Sequence, residues 1–361
     1  MREYRLRVGL VTAAGLALAA CGEDMPTQPT SPVVTATAPA AAAAADTWIT
    51  RANMSNKTDF AAATITNAAG QSIVYAIGGF NPNRVPLAKV TAYNAATNTW
   101  SFPHPLPIPL AQSNGAGVIN GKIYVSGGFQ GNDDLSIGLY VYDPATNAWT
   151  RKQDLPILRD PHGGYSSLFG ARGVTGVIGG QLYVVTGCFM QLNEPAVYAT
   201  EACGPGFFRY NPVAERWTML PPPALGDHAH SPYAGGVIGG KFYVMGADFY
   251  THEGHFAVYD PATNTWTPKT SLALARPGAG TAVLGGGLYV MGGSRYNAAK
   301  DLMDTLDVTI VYDPSTDAWT RRASLPSPRK GVVGAKVVVN GQARIELMGG
   351  NAPGNNLQYI P

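Results

Sequence analysis

The sequence predicts an all-β fold, a six-bladed β-propeller built from four-stranded blades. Three observations predict it: a Tyr-to-Trp hairpin that recurs along the chain, an apolar strand ending in paired glycines ahead of each copy, and a spacing near 50 residues between copies. The composition agrees. With 43 Gly, 28 Pro and only 13% charged residues in 361, the chain is rich in turns and long enough to bury a large core.

The hairpin is Tyr142-Asp143-Pro144-Ala145-Thr146-Asn147-Ala148-Trp149, with near copies running from Tyr93 to Trp100, Tyr210 to Trp217, Tyr259 to Trp266 and Tyr312 to Trp319. Asp accepts hydrogen bonds at the first turn position, Pro presets φ at the second, and Asn tolerates the left-handed conformation that closes the turn. The glycine-ended strands stand at Gly78-Gly79, Gly127-Gly128, Gly187-Cys188, Gly246-Ala247 and Gly292-Gly293, each ahead of a hairpin, and once more at Gly349-Gly350. Ahead of each lies a strand of small residues, such as the one from Gly115 to Gly121 or from Gly278 to Gly285.

One repeat is therefore strand a (Gly/Ala-rich), strand b (apolar, ending in Gly-Gly), strand c (ending in Tyr) and strand d (carrying Trp). Small residues suit the crowded inner end of a wedge, and Trp the wide outer end, where it is expected to cover the glycines. These marks resemble the kelch family, and the resemblance extends from about residue 46 to 361. The last copy has strands a, b and, at Asn356 to Ile360, c, but no Trp hairpin; residues 46–50, with Trp48, are expected to supply its strand d and close six blades without a free edge. Successive tryptophans lie 52, 49, 68, 49 and 53 residues apart, so the third blade carries an insertion.

The N-terminus predicts export. Arg2, Arg5 and Arg7 precede the apolar run from Val8 to Ala17, too short to span a bilayer as a helix. Leu18-Ala19-Ala20-Cys21 resembles the bacterial lipoprotein cleavage box. That resemblance implies a signal peptide over 1–20, a lipidated Cys21, and a cell-envelope location with the outer membrane favoured because Gly22 follows the cysteine. Residues 21–45, rich in Pro and Ala, read as a tether ahead of the propeller at 46–361. Removing Arg2, Arg5, Arg7 and Glu3 from 25 basic and 23 acidic residues leaves 22 of each, a neutral chain that argues against nucleic acid as a partner. Apart from Cys21 only Cys188 and Cys203 remain, an even pair in an exported chain, read as a disulfide worth ~3 kcal/mol.

In a four-stranded meander the d-to-a and b-to-c connections emerge on one face, around the central channel, and candidate site residues are sought there. Ten residues past each Trp stand Arg159, Arg276 and Arg329, with Thr58, Leu110 and Asp227 at the same count in the other connections. Arginines at that offset suit a carboxylate or phosphate, or a structural pairing. His228, His230, His252 and His255 fall in one blade beside Asp227, Asp248 and Glu253; imidazoles suit Zn, Cu or Fe, a metal-free catalytic or contact role, or a solvated surface. Phe80, Phe129, Phe189, Phe249 and Tyr296 follow strand b and would either ring the channel entrance and stack on a sugar or aryl group, or pack between blades. The stretches 160–170 and 188–203 are long enough to be functional or to buttress the next blade.

Among enzymatic relatives, galactose oxidase resembles this fold but has seven blades and a copper site with a Tyr–Cys crosslink, for which no match exists here. Periplasmic sialic acid mutarotases resemble it in having six blades and an arginine in the channel, a part Arg276 or Arg329 would take. The resulting expectation is a monomeric, lipid-anchored binding module for a protein or carbohydrate. The rival is an enzyme on the same face, a mutarotase or a metal-dependent oxidase or lyase.

Overall fold

The computed structural model describes residues 46–131, 134–156, 173–187, 205–223, 225, 229–248, 252–351 and 356–361, with the backbone alone for 134–135, 229–232 and 248. Its sheets are antiparallel: six of four strands each and one two-stranded hairpin. In order from strand a to strand d, blade 1 comprises Ala61–Thr66, Ser72–Ile77, Val90–Asn94 and Thr99–Ser101. Blade 2 comprises Ala116–Ile119, Lys122–Gly131, Asp134–Asp143 and Ala148–Lys152, and blade 3 Val174–Ile178, Gln181–Val185, Phe207–Asn211 and Arg216–Met219. Blade 4 follows with Ala229–Ile238, Lys241–Asp248, Gly254–Asp260 and Thr265–Pro268, and blade 5 with Ala279–Leu284, Gly287–Gly292, Thr309–Asp313 and Ala318–Arg322. Blade 6 takes Val332–Val339, Gln342–Gly349 and Asn356–Ile360 from the end of the chain and Thr47–Arg51 from its other end. Trp48 pairs with Tyr359 in register, so residues 47–51 supply the missing strand d as the repeat count requires.

The burial pattern explains the composition of each strand. Strand b of blade 5 is buried throughout and strand c nearly so, because neighbouring blades cover both faces. Strand d is mostly open, being the outermost. Strand-a glycines make room for the next blade: a Cβ on Gly117 would stand 2.5 Å from Leu182 Cδ1, and one on Gly280 2.5 Å from Leu347 Cδ1.

The c-to-d turn has the predicted chemistry. Asp143 Oδ1 accepts the Ala145 N–H, and Asn147 closes the turn at φ 53°. The Asn side chain does more than tolerate that conformation: Asn147 Oδ1 also receives the Tyr142 hydroxyl at 2.7 Å, as Asn264 does from Tyr259 and Asp317 from Tyr312. The tryptophans depart from expectation. Each covers the tyrosine of its own blade, at 4.9 Å for Tyr93 and Trp100, and its indole donates to the preceding connection, Trp149 Nε1 to the His104 carbonyl at 3.0 Å. The paired glycines instead lie against d-to-a backbone, where a side chain would collide: a Cβ on Gly78 would be 2.1 Å from the Leu110 oxygen.

At five blade seams a strand-b tyrosine meets the strand-c tyrosine of the next blade, Tyr75 on Tyr142, Tyr124 on Tyr210, Tyr183 on Tyr259, Tyr243 on Tyr312 and Tyr289 on Tyr359. The seam between blades 6 and 1 differs. Glu346 occupies the strand-b position, fully buried, and Arg51 Nε donates to the hydroxyl of the strand-c Tyr93 at 3.0 Å.

Candidate functional site

The d-to-a connections are tied to one another around the channel by backbone bonds. Gln112 N–H donates to Asp59 O at 2.8 Å, Asp59 N–H to Gly331 O at 3.3 Å and Gly331 N–H to Gly278 O at 2.8 Å, a collar linking the connections into blades 2, 1, 6 and 5. Asp59 and Gln112 hold this path with positive φ, 53° and 48°. Within and above the collar lies a cavity of about 860 Å³. Its wall combines d-to-a residues (Asp59, Gln112, Lys330) with b-to-c residues (Arg84, His252, Tyr296), so both sets of connections do share one face. Below them, small strand-a residues such as Thr175 and Thr281 form the lining, each hydroxyl bonded to the preceding blade, at Asn114 O and Gly235 O.

Among the described residues, the most constructed part of the wall is contributed by blades 4 and 5. His252 stacks on Tyr296, ring centroids 4.0 Å apart and 24° from parallel. The His252 carbonyl accepts the Ala275 N–H at 3.0 Å, and the residue holds φ at 59°. Tyr296 sits on an additional hairpin, Ser294–Asn297 with Leu302–Thr305, inserted between strands b and c of blade 5. This hairpin was not foreseen, yet its signal is present: Tyr296-Asn297-Ala298-Ala299-Lys300-Asp301 repeats the chemistry of the blade turns. Tyr296 donates to Asp301 Oδ1 at 2.7 Å, Asn297 Oδ1 accepts the Ala299 N–H, and Asp301 takes the left-handed conformation at φ 51°.

At two of the offset positions the backbone has a structural task. The carbonyls of Leu110 and Arg329, both ten residues past a Trp, accept the N–H groups of Gly79 at 2.7 Å and Gly293 at 2.9 Å. A carbonyl needs no particular side chain, so both Leu and Arg serve at these two positions; at the same count the carbonyls of Thr58 and Arg276 accept instead from Phe80 and Ala279. Arg329 is buried, donates to Ser327 Oγ at 2.9 Å, and has its pKa lowered by burial. Arg276 is pushed down to about 10 by burial, and neither arginine forms part of the cavity wall. Tyr233, beside Arg276, does line the cavity, and burial raises its pKa to about 12.

Of the other candidates, Phe129 packs on Phe80 at 5.9 Å, an arrangement between neighbouring blades rather than at the entrance. His255 lies on strand c of blade 4, opposite Gly246, outside the cavity wall. His230 lies on strand a of that blade, with only its backbone described. Arg159, Asp227, His228, Phe249, Cys21, Cys188 and Cys203 fall outside the described residues. Among the described residues no three His, Cys, Asp or Glu side chains stand together as a metal-holding group.

Six four-stranded blades, one of them closed by both ends of the domain, around a loop-walled channel define a β-propeller of the closed-ring class. Models of the kelch motif match residues 113–156 and 275–326, each spanning most of one repeat. The chain is a six-bladed β-propeller with kelch motifs in its second and fifth blades. The solved structure of YjhT is similar in fold, with a TM-score of 0.64 at 16% identity, covering 86% of this chain and 95% of that one. No curated protein matches.

Proposed function

We propose that this propeller is a lipid-anchored binding module of the bacterial cell envelope, taking a protein or carbohydrate ligand at the mouth of its channel. The observation that carries the reading is the cavity of about 860 Å³, a volume suited to a small molecule or to part of a larger one, walled by connections from several blades. Kelch propellers generally serve as interaction scaffolds, and a lipidated Cys21 followed by the Pro/Ala-rich stretch would tether the propeller to the membrane.

Lys330→Trp, at an exposed rim position, crowds the mouth while leaving the blades alone. Full-length protein is screened on a glycan array and, with a photo-crosslinking residue at Lys330, against envelope proteins. A ligand whose binding Lys330→Trp abolishes supports the reading; ligands bound equally well by the variant overturn it. Cys21→Ser is expected to move the protein from the membrane fraction to the soluble one.

The catalytic alternative draws support from His252, which faces the cavity with a non-glycine residue's strained positive φ. Stoichiometric Zn, Cu or Fe in protein purified without added metal, lost when His252 is replaced by Ala, would favour it.

A further inference from the structure

We propose that the His252–Tyr296 pair is an off-axis stacking platform that binds the flat face of a pyranose ring, making the ligand of this module a saccharide. The proposal rests on the reading that the channel mouth is the binding site. The six blades surround the channel with near-equivalent small strand-a residues, which by themselves select nothing. Among the described residues, what breaks the equivalence is the blade 4 and blade 5 side of the wall.

There an imidazole and a phenol stack at 4.0 Å, each immobilised separately. The Ala275 amide fixes the backbone of His252, and Asp301 and the extra hairpin fix Tyr296. Met303, from the returning strand of that hairpin, borders the same cavity and remains 38% exposed. A rigid aromatic surface beside a methionine offers apolar area at little entropic cost, which suits the C–H face of a sugar.

The remaining wall supplies what ring hydroxyls need. Gln112 and Ser113 line it with neutral polar groups, and Asp59 stands with Arg84 and Lys330, so donors and acceptors are both at hand. A peptide would use the same polar groups, but it does not require a ring platform. The pairing of platform and mixed polar wall favours the saccharide.

The test uses full-length protein and three neutral probes: methyl β-D-glucopyranoside, methyl β-D-galactopyranoside and N,N′-diacetylchitobiose, with sorbitol as the acyclic control. Binding is followed by saturation-transfer NMR and by the His252 imidazole resonance, assigned through His252→Ala. At least one pyranoside, and not sorbitol, is expected to shift that resonance. Tyr296→Ala should weaken its binding about tenfold or more, while Tyr296→Phe, which keeps the ring, should retain it. Pyranoside binding lost in Lys330→Trp but unchanged in Tyr296→Ala and His252→Ala overturns the platform and leaves the channel-mouth reading standing. No pyranoside binding while an envelope protein crosslinks at the mouth overturns the saccharide in favour of a protein ligand. No binding of either kind overturns both.

Discussion

The indole Nε1 of Trp48 donates to the carbonyl oxygen of Ala323 at 3.0 Å, joining residues 275 apart in sequence. The same bond runs from Trp100 to Ala52, Trp149 to His104, Trp217 to Gln153, Trp266 to Pro221 and Trp319 to Thr270. In every case the acceptor lies four residues past the preceding blade's tryptophan. The circuit of blades is thus closed by the same contact that links consecutive ones, and Trp48 makes it for the one strand that comes from the other end of the domain.

Trp48→Phe should keep a ring over Tyr359 and lose the hydrogen bond, lowering stability by ~1 kcal/mol in denaturant unfolding. Trp48→Ala removes the packing as well and should cost ~3 kcal/mol or more. An unchanged stability in Trp48→Phe would mean that the bond contributes nothing, and equal losses in the two variants that the packing contributes nothing.

Tyr210 is the exception among the hairpin tyrosines. Glu215, at φ 49°, replaces the Asn or Asp that elsewhere receives the hydroxyl, and the buried Tyr210 oxygen lacks a partner among the described residues. Glu215→Asn is expected to supply the acceptor and raise stability by ~1 kcal/mol. The ion pair it gives up, with Lys152, is solvent-exposed and contributes little. A lowered thermal midpoint would contradict this.

The seam between blades 6 and 1 makes stability depend on pH. Burial raises Glu346 from 4.5 to about 7, with the Gln358 amide working against the shift. The folded state therefore holds the proton more tightly than the unfolded chain, and this group's contribution is full below pH 4.5 and lost as pH rises to about 7. Glu346→Gln should remove that loss, gaining stability at pH 8 but not at pH 4, by an amount on the order of 3 kcal/mol. A gain of equal size at both pH values would place its origin elsewhere.

Lys57 acts with the opposite slope. Its ammonium is buried on the Ala76 carbonyl at 2.8 Å, and burial, with Lys89 second, lowers its pKa from 10.5 to about 7. Between those values the unfolded chain binds the proton more tightly, so stability rises with pH across the window. Lys57→Met should flatten that rise between pH 7 and 10, as read from thermal midpoints at several pH values.

Gly78→Ala meets both the Leu110 oxygen and a φ of 66°, whereas Gly70→Ala meets a φ of 73° but no atom within 4 Å. The first should cost several kcal/mol and the second ~1 to 2 kcal/mol, the strain alone. Comparable losses would show that the close approach to the d-to-a backbone is not what selects glycine.

Much of the architecture was legible because it depends on local, repeated chemistry. A Tyr-to-Trp turn, a glycine-ended strand and a Trp interval near 50 residues in four of five cases each mark a strand boundary, and their repetition leaves little choice of fold. The missing Trp hairpin after Gly350 likewise implied that residues 46–50 complete the last blade, where the strand runs over Thr47–Arg51. The candidate site was legible only in part. That both sets of connections share one face follows from the parity of the meander, and His252 and Tyr296 both line the cavity there.

What the sequence by itself determined is the blade: its strand order, its turns, its number and its closure, all consequences of which residues a strand or turn permits. What only the tertiary structure decided is which side chains meet. Counting from each Trp placed Arg329 and Leu110 at one offset but did not reveal that their carbonyls, held on Gly293 and Gly79, are what the position serves. Nor did it bring His252 from blade 4 onto Tyr296 of blade 5, because they come from separate blades whose distance is set by packing across the seam and by the collar around the channel.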